Sequence, residues 1–118
     1  EATRAEIKFE SDLKESGFSD EIDISLYRIV QEFYNNSLKH GEANKIRLKL
    51  SADKDFVRIN YSDNGKGFNY NAVGQKLNGI GLKNINTRVK ALSGEISFDS
   101  KENFGFRATL AIPLTCKL

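Results

Sequence analysis

The sequence predicts an α+β fold: a two-layer sandwich in which a mixed, mostly antiparallel sheet carries its helices on one face. Three observations lead there. Two segments repeat apolar residues at helical spacing, two adjacent segments alternate apolar and polar residues at strand spacing, and the strands follow one another in hairpin-like succession. A parallel doubly wound sheet would need a helix after nearly every strand, and this order does not supply one.

The elements follow in chain order. Residues Glu6 to Glu10 read as a short strand, and the polar, glycine-containing stretch after it, through Asp23, as a short helix or loop. From Ile24 the residues Leu26, Ile29, Val30 and Phe33 recur at helical spacing and Ser37 continues their face, so a helix runs to about His40, where Gly41 supplies a stop. Ile46, Leu48 and Leu50 alternate with Arg47 and Lys49, and Val57, Ile59 and Tyr61 alternate with Arg58 and Asn60. These are two half-buried strands with Lys54 and Asp55 at the turn between them. Leu82, Ile85, Val89 and Leu92 mark a second amphipathic helix ending at Gly94; Ile96 to Asp99 and Ala108 to Ile112 are two more strands.

Composition bounds the function. The 118 residues suit one domain with a single core, spanning 1–118. A net charge of +2, from 18 basic and 16 acidic residues spread along the chain, gives no basic tail or block to argue for nucleic acid. The lone Cys116 cannot form an intrachain disulfide, and one cysteine with one histidine cannot furnish a zinc or haem site. Without a long apolar run or a signal-peptide pattern, the expectation is a cytoplasmic domain with no direct membrane contact, whether or not the parent protein is membrane-anchored. A chain that starts at Glu1 and holds no methionine is expected to be a piece of a longer protein.

Three constellations carry chemistry. The first lies on the first helix, where Glu32, Asn36, Lys39 and His40 fall within a stripe roughly 100° wide beside the apolar face, with Asn35 outside it. Asn36 offers a hard carbonyl oxygen of the kind magnesium accepts beside phosphate oxygens, Glu32 is placed to take a proton, and Lys39 to neutralise phosphate charge. Spacing alone leaves open a solvated polar helix face. The second is the run Asp63, Asn64, Gly65, Lys66, Gly67 and Phe68, directly after a strand. Asn64 and Gly65 suit a hairpin turn, but residues 69–78 show no alternation, so the chain leaves the sheet. Asp63 then presents an ionised acceptor, and Gly65 and Gly67 let the backbone approach a planar ring. An acceptor there suits the exocyclic amine of adenine and opposes the carbonyl of guanine. The third is Gly79, Ile80, Gly81 and Leu82, opening the second helix at its anion-attracting end. It is neither a P-loop nor a dinucleotide fingerprint, and by itself equally suits a flexible loop with a helix cap.

Taken together and in this order, the three match the N, G1 and G2 boxes of the GHKL ATPase superfamily, which the chain resembles over nearly its whole length. The run from Tyr27 to Glu32, leading into Asn36, Lys39 and His40, and the short stretch between the second and third boxes look like sensor histidine kinases that work with NarL-type response regulators. The resemblance implies a Bergerat fold and an ATP lid between Phe68 and Asn78. It also implies magnesium at Asn36, adenine at Asp63, and a proton-accepting or water-orienting role for Glu32. ATP contacts then fall on Asn36, Lys39, His40, Asp63, Gly65, Gly67, Phe68, Gly79, Ile80, Gly81 and Leu82, with ATP and Mg2+ as cofactors. The implied reaction is transfer of the γ-phosphoryl group to a histidine on a separate dimerisation and phosphotransfer domain. That makes the parent a homodimer and leaves this piece able to be a monomer.

The chain departs from the family pattern in two places. Phe106 follows Gly105 where the family usually has threonine, and the sole histidine, His40, lies inside the N box, so the usual phosphoacceptor is not in this chain. Other readings are another GHKL ATPase, a serine kinase of the anti-sigma type, or a degenerate nucleotide-sensing scaffold.

Overall fold

The computed structural model describes residues 6–12, 18–40, 42–66, 82–100 and 105–114. Its elements run β1 (Glu6–Ser11), α1 (Asp20–Asn35), a π-helical turn (Asn36–His40), β2 (Lys45–Ala52), β3 (Phe56–Asp63), α2 (Leu82–Ala91), β4 (Glu95–Ser100) and β5 (Phe106–Pro113). The five strands form one sheet in the order β1-β2-β3-β5-β4. β1 pairs parallel with β2, and every other pairing is antiparallel. A parallel neighbour needs a long crossover, which α1 provides.

Local chemistry explains most of these bounds. α1 begins four residues before the Ile24 start read from periodicity, so Asp20 to Asp23 are helix. Ser19 in extended conformation caps it, its Oγ accepting the Ile22 N–H at 3.1 Å, while Asp23 accepts the Phe18 N–H at 3.0 Å. Asp20, Glu21 and Asp23 also place negative charge at the positive end of the helix dipole. At the other end, the stretch expected to continue as regular helix to His40 turns instead into the π-helical segment, and the expected stop at Gly41 lies outside the described residues. The end of α2 is closed by Ser93, which takes φ 63°, with Gly94 N–H returning to the Val89 carbonyl at 2.9 Å. Gly94 is needed for closeness, because a Cβ there would lie 2.7 Å from the Ala111 carbonyl oxygen of β5.

Alternation in the strands makes the second layer. Ile46, Leu48, Val57, Ile59, Tyr61, Phe106, Ala108, Leu110 and Ile112 point to one face and are buried against Leu26, Ile29 and Phe33 of α1 and Leu82, Ile85 and Val89 of α2. Lys45, Arg47, Lys49, Arg58, Asn60, Arg107 and Thr109 alternate onto the other face and are exposed. Ile7 and Phe9 stand in register with the buried Ile46 and Leu48, yet are 44% and 55% exposed, so among the described residues the helical layer stops short of β1. No helix among the described residues is long and apolar enough to cross a membrane.

Candidate functional site

The site grows from two directions off α1. Toward the sheet, among the described residues, Ser37 is the one buried residue of polar type, set on the face otherwise made by Leu26, Ile29 and Phe33. A hydroxyl in that position has to be satisfied internally, and it is. Ser37 Oγ lies 2.5 Å from Tyr61 Oη and donates to Asp63 Oδ2 at 2.5 Å. Tyr61 Oη also lies 3.0 Å from the Phe33 carbonyl oxygen. Tyr61 and Asp63 are two residues apart on β3, so both side chains leave the same face of the sheet.

Asp63, the last residue of β3, is held by three groups from three parts of the chain. Its Oδ1 accepts the Gly65 N–H at 2.8 Å and the Phe106 N–H at 3.2 Å, while Oδ2 accepts from Ser37. A carboxylate oxygen has two lone pairs; Oδ1 is therefore filled and Oδ2 retains one. That remaining acceptor, beside a half-buried side chain, is what Asp63 has to offer a ligand donor. Asn64 anchors the strand end from behind: its Oδ1 accepts from the Asn44 and Lys45 N–H groups at 3.0 and 2.9 Å, and its Nδ2 donates to Asn44 Oδ1 at 2.8 Å.

Phe106 is core. Its ring sits 6.0 Å from Phe33, 6.3 Å from Tyr61 and 5.9 Å from Phe98, centroid to centroid, and it is buried. The site there has an aromatic floor and no hydroxyl at this residue, while the backbone N–H still reaches Asp63.

Toward α2, Glu32 and Lys39 line a cavity of about 520 Å³ together with Arg28, Tyr34, Asn84 and Arg88. Burial pushes the Tyr34 phenol above its ordinary pKa. Asn35, which the helical wheel left outside the stripe, lines this cavity too, whereas Asn36 is half-buried and does not. The 3.6-residue period that built the stripe ends where the π turn begins, at Asn36. The Asp63 carboxylate lies outside this cavity: Ser37 of the π-helical turn reaches the sheet, while Glu32 of α1 and Lys39 of the π-helical turn line the cavity on the side of α2.

Other expected site residues fall elsewhere. Leu82 opens α2 as expected, but its side chain is fully buried in the core. Gly65 is buried with its N–H committed to Asp63. The side chain of His40, and Gly67, Phe68, Gly79, Ile80 and Gly81 with the expected lid, lie outside the described residues. Ser37, Tyr61 and Arg88 were not singled out from the sequence as site residues. For Ser37 a signal existed, a hydroxyl on an apolar helix stripe, which needs a buried partner.

Residues 21–116 match the family model described as histidine kinase-, DNA gyrase B-, and HSP90-like ATPase. The chain belongs to this ATPase family. It is 36% identical over 96 residues to the signal transduction histidine-protein kinase/phosphatase DegS of Bacillus subtilis, covering 80% of this chain and 25% of DegS. Against the sensor histidine kinase ComP of the same organism it is 34% identical, covering 77% of this chain and 12% of ComP. The oxygen sensor histidine kinase NreB of Staphylococcus carnosus is 29% identical across 92% of this chain and 31% of its own length. The chain thus spans a quarter or less of DegS and ComP. The histidine kinase domain from the Erythrobacter litoralis EL346 blue-light activated histidine kinase superposes with a TM-score of 0.71 at 19% identity. It covers 94% of this chain and 53% of that one, and shows the shared fold. The expected two-layer architecture, with its mixed, mostly antiparallel sheet, is the observed one.

Proposed function

We propose that this chain is the ATP-binding catalytic domain of a sensor histidine kinase. In the parent protein it transfers the γ-phosphoryl group of ATP to a histidine on a dimerisation and phosphotransfer domain, for onward signalling to a NarL-type response regulator. The observation that carries the reading is the Asp63 carboxylate, fixed by three protein donors with one lone pair left for the adenine amine. Family membership and the relatives' names, all sensor or signal-transduction kinases, support the reaction class.

In this reading an imidazole nitrogen of the acceptor attacks the γ-phosphorus, the bond to the ADP oxygen breaks, and a phosphohistidine forms. Glu32, half-buried at the cavity between α1 and α2, takes the proton released by the imidazole. Lys39, at the same cavity, balances phosphate charge. Among the described residues no cluster of histidine, cysteine and carboxylates forms a metal cage. Magnesium keeps several of its waters and takes phosphate oxygens, so it needs few protein ligands, and a single amide carbonyl such as that of Asn36 suits it. Asn36 is the residue that would hold it, and the ion would supply charge neutralisation at the transferring group. Most of the catalysis is positioning.

Calorimetric titration of the chain with a non-hydrolysable ATP analogue, with and without magnesium, against GTP and with an Asp63→Asn variant, tests this reading. Magnesium-dependent, adenine-preferring binding that is weakened in the variant is the expected result. A folded chain that binds ATP and GTP alike, or neither, overturns it.

A further inference from the structure

Three oxygen–oxygen contacts meet around Ser37, and two hydroxyl protons have to serve them. Ser37 Oγ contacts Asp63 Oδ2 and Tyr61 Oη, each at 2.5 Å, and Tyr61 Oη contacts the Phe33 carbonyl oxygen at 3.0 Å. An ionised carboxylate is acceptor-only, so the Ser37 proton is committed to Asp63. The Ser37–Tyr61 contact is then attractive only if the Tyr61 proton points at Ser37 Oγ. The Phe33 carbonyl tolerates this, because it already accepts from the Asn36 backbone N–H and does not depend on the tyrosine.

The geometry points to Tyr61 as a positioning residue for nucleotide selection: its hydroxyl donates to Ser37 Oγ, holds the Ser37 proton on Asp63 Oδ2, and so determines which lone pair of Asp63 faces a ligand amine. This inference rests on the adenine reading of Asp63. Tyr61 is built for the part. It is 2% exposed, its ring stacks on Phe33 at a centroid distance of 4.6 Å with 24° between planes, and Phe106 packs against its edge. The ring is therefore held in place and its hydroxyl proton has two acceptors within reach, the Phe33 carbonyl at 3.0 Å and Ser37 Oγ at 2.5 Å, of which the shorter contact is the one that needs a proton between its oxygens; Ser37 is itself 1% exposed. Burial also pushes the phenol far above its ordinary pKa, which keeps the proton on the oxygen as the donor this arrangement requires. Tyr61, with 2% of its surface exposed, acts through Ser37.

The experiment compares the binding of ATP with that of purine riboside triphosphate, which lacks the exocyclic amine, in the wild-type chain and in Tyr61→Phe, Ser37→Ala, the double variant and Asp63→Asn. Tyr61→Phe keeps the stacked ring and removes only the hydroxyl. It is expected to weaken ATP by roughly three- to tenfold, the equivalent of one hydrogen bond, and to leave the amine-free nucleotide unchanged. Ser37→Ala is expected to lose at least as much, and adding Tyr61→Phe to it to cost nothing further. A merely structural role would weaken both nucleotides together. That outcome, or an unchanged preference in folded Tyr61→Phe, overturns the assignment. If Tyr61→Phe does not fold, Ser37→Ala alone decides, and an unchanged preference there overturns it equally. A wild-type chain with no preference for ATP over the amine-free nucleotide would instead remove the adenine reading on which this inference stands.

Discussion

A Cβ placed on Gly105 would stand 2.3 Å from the carbonyl oxygen of Asp63. The glycine takes φ +88°, so both the backbone conformation and the approach of β5 to the end of β3 require it. Gly105→Ala has to move backbone and not merely a flexible side chain. It should lower stability by about 1–3 kcal/mol and, by displacing the Phe106 N–H from Asp63, weaken ATP binding as well. Denaturant unfolding beside a nucleotide titration checks both; a variant as stable as the parent would show that the strands tolerate the displacement.

Replacing Phe106 by threonine, the residue usual in the family at this place, separates packing from recognition. The change removes a ring in contact with Phe33, Tyr61 and Phe98 and should cost roughly 3 kcal/mol, near the low end for truncating a buried phenylalanine. The backbone N–H to Asp63 remains, so the ATP-over-GTP preference of whatever folds should persist. A thermal melt and the affinity ratio read the two effects, and loss of the preference with stability intact would place Phe106 in recognition instead.

The β2–β3 turn carries an acid-sensitive contact. Asp53 Oδ1 accepts the Asp55 and Phe56 N–H groups at 2.8 Å each, and Oδ2 accepts from Arg58 at 2.9 Å. The Arg58 hydrogen bond, followed by the two backbone donors, holds the carboxyl at about 2, below its ordinary 3.8. Between those values the unfolded chain binds the proton more readily, so this contribution is complete above the ordinary value and is lost as pH falls through about 2. Asp53→Asn should flatten that part of the acid limb in a plot of denaturant midpoint against pH. An unaltered limb would mean the exposed contact adds nothing measurable.

In the kinase reassembled with its phosphotransfer domain, Glu32→Gln should leave ATP affinity near its starting value. Phosphohistidine formation should slow by roughly 10²- to 10⁴-fold, the range for losing a general base. Asn36→Ala should instead abolish magnesium-dependent nucleotide binding or transfer. Radiolabelled transfer assays distinguish the two, and undiminished transfer by either variant removes that residue from the mechanism.

Much of this architecture was legible in local pattern. Alternation in residues 46–50 and 57–61 marked β2 and β3 because a two-residue period on a half-buried sheet leaves no other register for the apolar side chains. The start of α1 was missed by four residues, since Asp20 to Asp23 advertise a helix by capping and charge and not by apolar spacing. The stripe of Glu32, Asn36, Lys39 and His40 assumed one helical period throughout, and the π turn at Asn36–His40 ended it.

What the sequence determined by itself is therefore the strands and the two α-helices, the faces they bury and the place of Asp63 at a strand end, because each follows from residues close together in the chain, and the family, because three short motifs stand in order. Only the tertiary structure decided the surroundings of that carboxylate. Ser37 and Asp63 are 26 residues apart and Ser37 and Tyr61 24 apart, and Phe106 arrives from β5, 43 residues beyond Asp63. A buried hydroxyl takes whichever partner the packing of helix on sheet brings within reach, and no local period encodes that meeting.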